Sequence, residues 1–216
     1  MTAETVLSVA RGELGTTESP AGSNRVKYNT AYYNREVSGS AYPWCCAFVW
    51  WVFRQAGASE LFFGGKQTAY CPALLDFHKK QRVTDYRPGD IVFFNFNGRG
   101  NAAHVGICET WDGKRITTID GNTGEGNEAN GGAVLRRTRD KKYIVGAYRP
   151  AYQKEVPVTE EQFDAMLTAW LIRQGAKPAS SWSRMAEAKA AGITDGTRPG
   201  SFATREEVAT MIMAAR

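Results

Sequence analysis

Six side chains in this 216-residue sequence are of the sulfur or imidazole types that act as nucleophiles and general bases: Cys45, Cys46, Cys71, Cys108, His78 and His104. No two cysteines are spaced as C-x-x-C, so the pattern of a zinc knuckle or a thioredoxin-like pair is missing. Cys45 heads Cys45–Gln55, a run apolar nearly all round that predicts a buried helix stopped by Gly57. A thiol at a helix N-terminus feels the positive end of the dipole and the unpaired N–H groups of the first turn. Both favour the thiolate, the nucleophilic form, and the same N–H groups can hold an oxyanion during acyl transfer. A lone cysteine in such a helix is usually a small core residue, so the reading depends on what stands near it.

His104 opens the strand His-Val-Gly-Ile-Cys, and Asp120-Gly-Asn122 closes the next one. A three-residue loop, Trp111-Asp112-Gly113, with glycine in the left-handed position, would pair Thr110 with Lys114 and set His104 directly opposite Asp120. A two-residue Asp112-Gly113 loop would put the two on opposite faces. The three-residue loop has glycine where its geometry requires it and is preferred. A carboxylate beside the imidazole fixes its tautomer and stabilises its charged form, completing a nucleophile, base and orienter. His78, in Asp-Phe-His-Lys-Lys, reads as a surface residue on a helical stretch.

The elements that must position these residues follow from periodicity. Thr5–Leu14 reads as an amphipathic helix, and polar loops follow on either side of Tyr28, Tyr32 and Tyr33. After the turn Arg87-Pro-Gly-Asp90 come five candidate strands: Ile91–Phe94, His104–Trp111, Arg115–Asp120, Ala133–Arg137 and Ile144–Tyr148. Helices first and strands after predict an α+β fold with a mostly antiparallel sheet. Residues 151–157 read as a linker between a domain at 1–150 and a small all-α unit at 158–216. In that unit Thr159-x-x-Gln162 is a capping box ahead of Phe163, Met166, Leu167, Trp170 and Leu171. Met185, Ala188 and Ala191 suggest a second helix, and Thr204-x-x-Glu207 is another capping box.

The run Tyr42-Pro-Trp-Cys-Cys-Ala-Phe-Val49 resembles the nucleophile helix of CHAP domains, the cysteine- and histidine-dependent amidohydrolases and peptidases. Arg87-Pro-Gly-Asp-Ile-Val-Phe-Phe94, His104-Val-Gly-Ile107 and Ile119-Asp-Gly-Asn-Thr-Gly124 resemble further motifs of that family, in the same order. The resemblance covers roughly residues 3–150, and its front segment, Glu13–Asn24, is similar to the start of such domains in phage and prophage lysins. It implies a papain-like fold in miniature, with Cys45 as nucleophile and His104 as base. Asp120 stands where the family usually has glutamate, and Asn122 matches the family's asparagine, which can share the orienting role. Cys46 replaces a common alanine. The Asp-rich calcium loop of some members is missing, so no metal or other cofactor is implied. The implied substrate is bacterial peptidoglycan, cleaved at an amide bond through a thioester, as an N-acetylmuramoyl-L-alanine amidase or an endopeptidase. Tyr42, Trp44, Arg99, Asn101 and Trp111 are candidates for contacting that substrate. Trp182–Arg216 is weakly similar to S-layer-homology repeats, which attach proteins to wall polymers.

The formal net charge is +5, with 19 basic and 14 acidic residues in 1–150 but eight of each in 151–216. The excess suits an anionic wall polymer as partner. Nucleic acid is not expected, since no basic helix or aromatic-basic strand accompanies the charge. The longest low-polarity run, Tyr42–Phe53, is far short of a membrane span. The opening residues, Met-Thr-Ala-Glu-Thr, do not read as a basic-then-apolar secretory leader. The expectation is therefore a monomeric, phage-type lysin made in the cytoplasm and acting on the wall after release. The alternatives are an inactive wall-binding protein and a cysteine peptidase, of NlpC/P60 type or a toxin, with a different substrate.

Overall fold

The computed structural model describes residues 1–97, 100–153 and 159–173, with position 190 beyond them. The chain divides into two compact units, Met1–Glu155 and Val156–Arg216. The first is α+β: five helices precede five strands, as the order of periodicities predicts. Helix α1 (Ala3–Gly12) is capped by Thr2, whose hydroxyl accepts the N–H of Thr5, and buries Val6, Leu7 and Ala10. The short helices α2 (Lys27–Tyr33) and α4 (Ser59–Phe63) pack with α1 on α3 (Cys45–Gln55), whose bounds are those read from its apolar run, and α5 (Cys71–Phe77) packs on α4 and β5 (Ile144–Tyr148).

Strands β1 (Ile91–Phe94), β2 (His104–Trp111), β3 (Arg115–Thr123), β4 (Ala133–Asp140) and β5 (Ile144–Tyr148) form one antiparallel sheet in the order β4-β3-β2-β1-β5. Side chains alternate between its faces. Ile91, Phe93, Val105, Ile107 and Ile119 pack with Phe48, Val49, Val52 and Phe53 of α3 in the main core. Val92, Phe94, Cys108, Ile116 and Ala147 make a second, smaller core with Tyr86, joined by Phe96, Trp111 and Tyr143. The α3 helix is therefore apolar all round because it is wrapped by helices on one side and lies on β2 and β3 with the other.

The β2–β3 hairpin departs from the expected register. Ile107 pairs with Ile119 and Cys108 with Thr118; after a bulge, Thr110 pairs with Thr117 and Trp111 with Ile116. The connection is Asp112-Gly-Lys114 rather than Trp111-Asp-Gly113, because the Asp112 carboxylate accepts the N–H groups of Lys114 (2.8 Å) and Arg115 (2.7 Å), closing a side-chain turn. Continued toward the site, this register sets Gly106, not His104, opposite Asp120. The slip is an even number of residues, so His104 and Asp120 still share a face.

His78 is buried, not exposed. Its ring stacks on Tyr148 with centroids 3.7 Å apart, and its Nε2 lies 2.5 Å from the Phe62 carbonyl. The flanking lysines suggested solvent, but His78 ends α5 and turns inward to tie α4 to β5.

In the second unit α6 (Glu160–Arg173) starts with the capping box read from sequence. The Thr159 N–H donates to Gln162 Oε1 (3.1 Å), and the Gln162 N–H donates to Thr159 Oγ1 (3.2 Å). The helix around 185–191, the second capping box and the S-layer-like segment 182–216 lie outside the described residues. No helix among the described residues is long and apolar enough to cross a membrane.

Candidate active site

Cys45 is the first residue of α3, and no side chain caps that end. The first-turn N–H groups are thus left for another acceptor, as acyl transfer requires. Two glycines bring the sheet to this helix end. A Cβ on Gly121 would lie 2.5 Å from Phe48 Cβ and 2.8 Å from Trp44 Cζ3, so only glycine lets β3 press against the start of α3. A Cβ on Gly106 would lie 2.0 Å from Asp120 Oδ1, so only glycine leaves the Asp120 carboxylate room to cross toward His104. The Asp120 Oδ2 accepts from His104 Nε2 at 2.9 Å, with both side chains fully buried.

That contact fixes the tautomer. Nε2 carries the proton donated to Asp120, which leaves Nδ1 as the nitrogen that can exchange a proton with Cys45. Nδ1 is buried and makes no formed hydrogen bond, and Cys45 is the thiol that His104 feels. Burial disfavours the charged ring, but the Asp120 hydrogen bond and Cys45 outweigh it and raise the His104 pKa to about 9. Burial likewise opposes charge on Asp120, yet the Arg139 guanidinium and His104 hold its carboxyl below the usual range. The Cys71 thiol and burial push Cys45 well above the ordinary thiol value, while His104 pulls the other way. The two groups titrate as a coupled pair, an arrangement that can exchange a proton between sulfur and imidazole.

The adjacent cysteines are placed differently. Cys46 Sγ donates to the Thr68 carbonyl at 3.3 Å and is fully buried. Cys71 Sγ lies 3.8 Å from Cys45 Sγ. Sequence reasoning did not single out Cys71; its position at the head of α5, before Pro72, mirrors that of Cys45 on α3.

The structure gathers Cys45, His104 and Asp120 into one buried constellation. Asn122 is also fully buried, at φ +59°, but its Nδ2 donates to Asn130 Oδ1 at 3.1 Å, away from His104. Asp120 is therefore the side chain that meets the ring, and Asn122 bonds within the β3–β4 connection.

Among the aromatic candidates, Trp44 belongs to the core. It is fully buried, stacks on Tyr28 at 5.3 Å, and donates its Nε1–H to Glu18 Oε1 at 2.7 Å. Trp111 sits at the far end of β2 from His104, edge-on to Tyr86 in the second core. Tyr42 is half-buried against Tyr33, just before Cys45, and keeps one side open. Asn101 is exposed on the segment leading into β2, and its carbonyl accepts from Asn95 Nδ2 at 2.8 Å. Arg99 lies outside the described residues. Among the described residues no cluster of three or more His, Cys, Asp or Glu side chains could hold a metal ion.

Residues 37–122 match the family model of the CHAP domain, a stretch that contains Cys45, His104, Asp120 and Asn122. The match supports a cysteine- and histidine-dependent amidohydrolase or peptidase. No curated protein matches the chain. A solved structure titled "The crystal structure of Ly7917" is 17% identical, with a TM-score of 0.39; the match covers 69% of this chain and 63% of that one. The chain thus spans less than two thirds of that protein's length.

Proposed function

We propose that this protein hydrolyses an amide bond of bacterial peptidoglycan with Cys45 as nucleophile. The buried His104–Asp120 pair, with Nδ1 left unpartnered and Cys45 beside the ring at the uncapped head of α3, carries this reading. The Cys45 thiol gives its proton to His104 Nδ1, and the sulfur attacks the amide carbonyl carbon. The oxyanion takes up the first-turn N–H groups of α3. As the C–N bond breaks, His104 returns the proton to the leaving amine, and a thioester remains on Cys45. Water, deprotonated by His104, then attacks the thioester and releases a carboxylic acid and the free thiol.

Peptidoglycan as substrate is supported by the CHAP match and by the basic balance of residues 1–150. The bond is either that between the muramoyl lactyl group and L-alanine or a peptide bond of the stem or cross-bridge. The same residues serve both, so product ends decide. The S-layer-like segment 182–216 is proposed as a wall anchor on the strength of its sequence alone.

Purified cell walls incubated with the protein should clear, releasing fragments with new amino termini. Mass spectrometry of those ends separates amidase from endopeptidase. Cys45→Ala should lose at least about 1,000-fold in rate, whereas Cys46→Ala should stay within a few-fold of the parent. Clearing by Cys45→Ala at the parental rate would refute the nucleophile assignment, and binding without any new ends would favour a non-catalytic wall-binding protein.

A further inference from the structure

Arg139 of β4 is a second buried charge committed to the site, although no motif pointed to it. It is 5% exposed and lies opposite Ile116, on the sheet face that carries Phe94. Its Nη1 donates to Asp120 Oδ2 at 2.6 Å, the same oxygen that accepts from His104. Nη1 and Nη2 also reach Thr118 Oγ1 and Thr123 Oγ1, each at 3.3 Å, and Nε donates to Glu128 Oε2 at 2.9 Å. The guanidinium lies 4.9 and 5.1 Å from the Phe94 and Phe96 ring centroids, and the same two rings flank His104 at 6.4 and 5.9 Å.

We infer that Arg139 is a positioning residue, acting through Asp120: its fork holds the carboxylate in the rotamer that meets His104 Nε2 and keeps it ionised there. The inference rests on the hydrolase reading for its purpose but not for its geometry. Three facts carry it. Asp120 is fully buried, and a buried carboxylate with a neutral partner alone tends to take up a proton. The Asp120 Oδ1 has no hydrogen-bond partner among the described residues, so Oδ2 bears both contacts. The guanidinium is itself locked by two hydroxyls, a carboxylate and two ring faces, and has no freedom to swing away. Arg139 thus supplies the second half of the orienting unit, and the shorter aspartate keeps one defined position.

The charged groups bearing on Asp120 are His104 from β2, Arg139 from β4, Glu128 from the β3–β4 connection, which also pairs with Arg137, and Cys45 beyond His104 on α3. Loss of the Arg139 cation should disfavour every deprotonation in this group. The test follows the rate of Cys45 alkylation by iodoacetamide against pH, located by peptide mass spectrometry, in the full chain. Arg139→Gln should move the midpoint upward by about one pH unit, and Arg139→Lys should restore most of the shift. In an Asp120→Asn background, Arg139→Gln should add no more than a few tenths of a unit, because the coupling runs through Asp120. If Arg139→Gln does not fold, Thr123→Val, which removes a neutral hydroxyl that holds the guanidinium, should give a smaller shift in the same direction. An alkylation profile that coincides with the parent's in the variants that fold would overturn the inference and leave Arg139 a packing residue. The readout needs no wall substrate, so a parent that alkylates as described but clears no walls would refute the hydrolase reading and leave the role of Arg139 standing.

Discussion

The contact between His104 and Asp120 depends on the missing side chain at position 106. In the observed register a methyl there would occupy the space of Asp120 Oδ1. Gly106→Ala should therefore rotate the carboxylate off His104, lowering the rate of wall clearing by roughly 10- to 100-fold and stability by about 1–3 kcal/mol. Clearing assays and thermal unfolding read the two effects. His104 also ties stability to pH. Its folded-state pKa, raised from 6.5 to about 9, makes a contribution that is complete below about 6.5 and is lost as pH rises through about 9. The melting temperature of the parent should thus fall from pH 7 to 9.5 by more than that of His104→Gln. Equal slopes would mean that the ring gains nothing from Asp120 and Cys45.

At the scale of elements, the site is where β3 meets the head of α3. Gly121 permits the approach, and Trp44, at the cap position of α3, anchors it through Glu18. Trp44→Phe keeps the aromatic packing but leaves the Glu18 carboxylate buried without that donor. The expected loss is about 1–3 kcal/mol in unfolding free energy, with Glu18→Gln recovering part of it. The bounds of α3, β1, β2 and β5 were legible because each is an uninterrupted apolar or alternating run between turn residues. The proximity of His104 and Asp120 was legible for a weaker reason: any even-numbered register keeps them on one face. The register itself was not, because the Asp112 side-chain turn and the bulge near Glu109 leave no periodic mark. Trp44 and Trp111 looked like groove residues because a tryptophan beside a nucleophile and one in a packed core have the same local sequence. Arg139 lies past the strand read as Ala133–Arg137; β4 runs on to Asp140, and only its pairing with β3 brings that side chain to Asp120.

For the whole molecule, the division at Glu155 and Val156 separates charge as well as structure. Residues 1–150 carry the entire +5, and 151–216 are balanced. The 1–155 fragment contains both cores and the site, so it should unfold cooperatively and retain hydrolysis. Its retention on walls should fall steeply as salt shortens the screening length to roughly 10 Å at 0.1 M. If the second unit anchors the protein, the full chain should keep a salt-insensitive share of binding in pull-downs that the fragment lacks. Equal binding by the two would assign wall association to the catalytic unit alone.

The central claim is that Cys45 carries the acyl group, and the thioester itself can be captured. Walls mixed with the protein, quenched in acid during turnover and digested, should yield the peptide holding Cys45 with the mass of a wall fragment added to that sulfur and removed by hydroxylamine. Fragmentation places the adduct on Cys45 or Cys46. An adduct on Cys46 or Cys71, or dissolution of the walls with no thioester on any cysteine, would contradict the account.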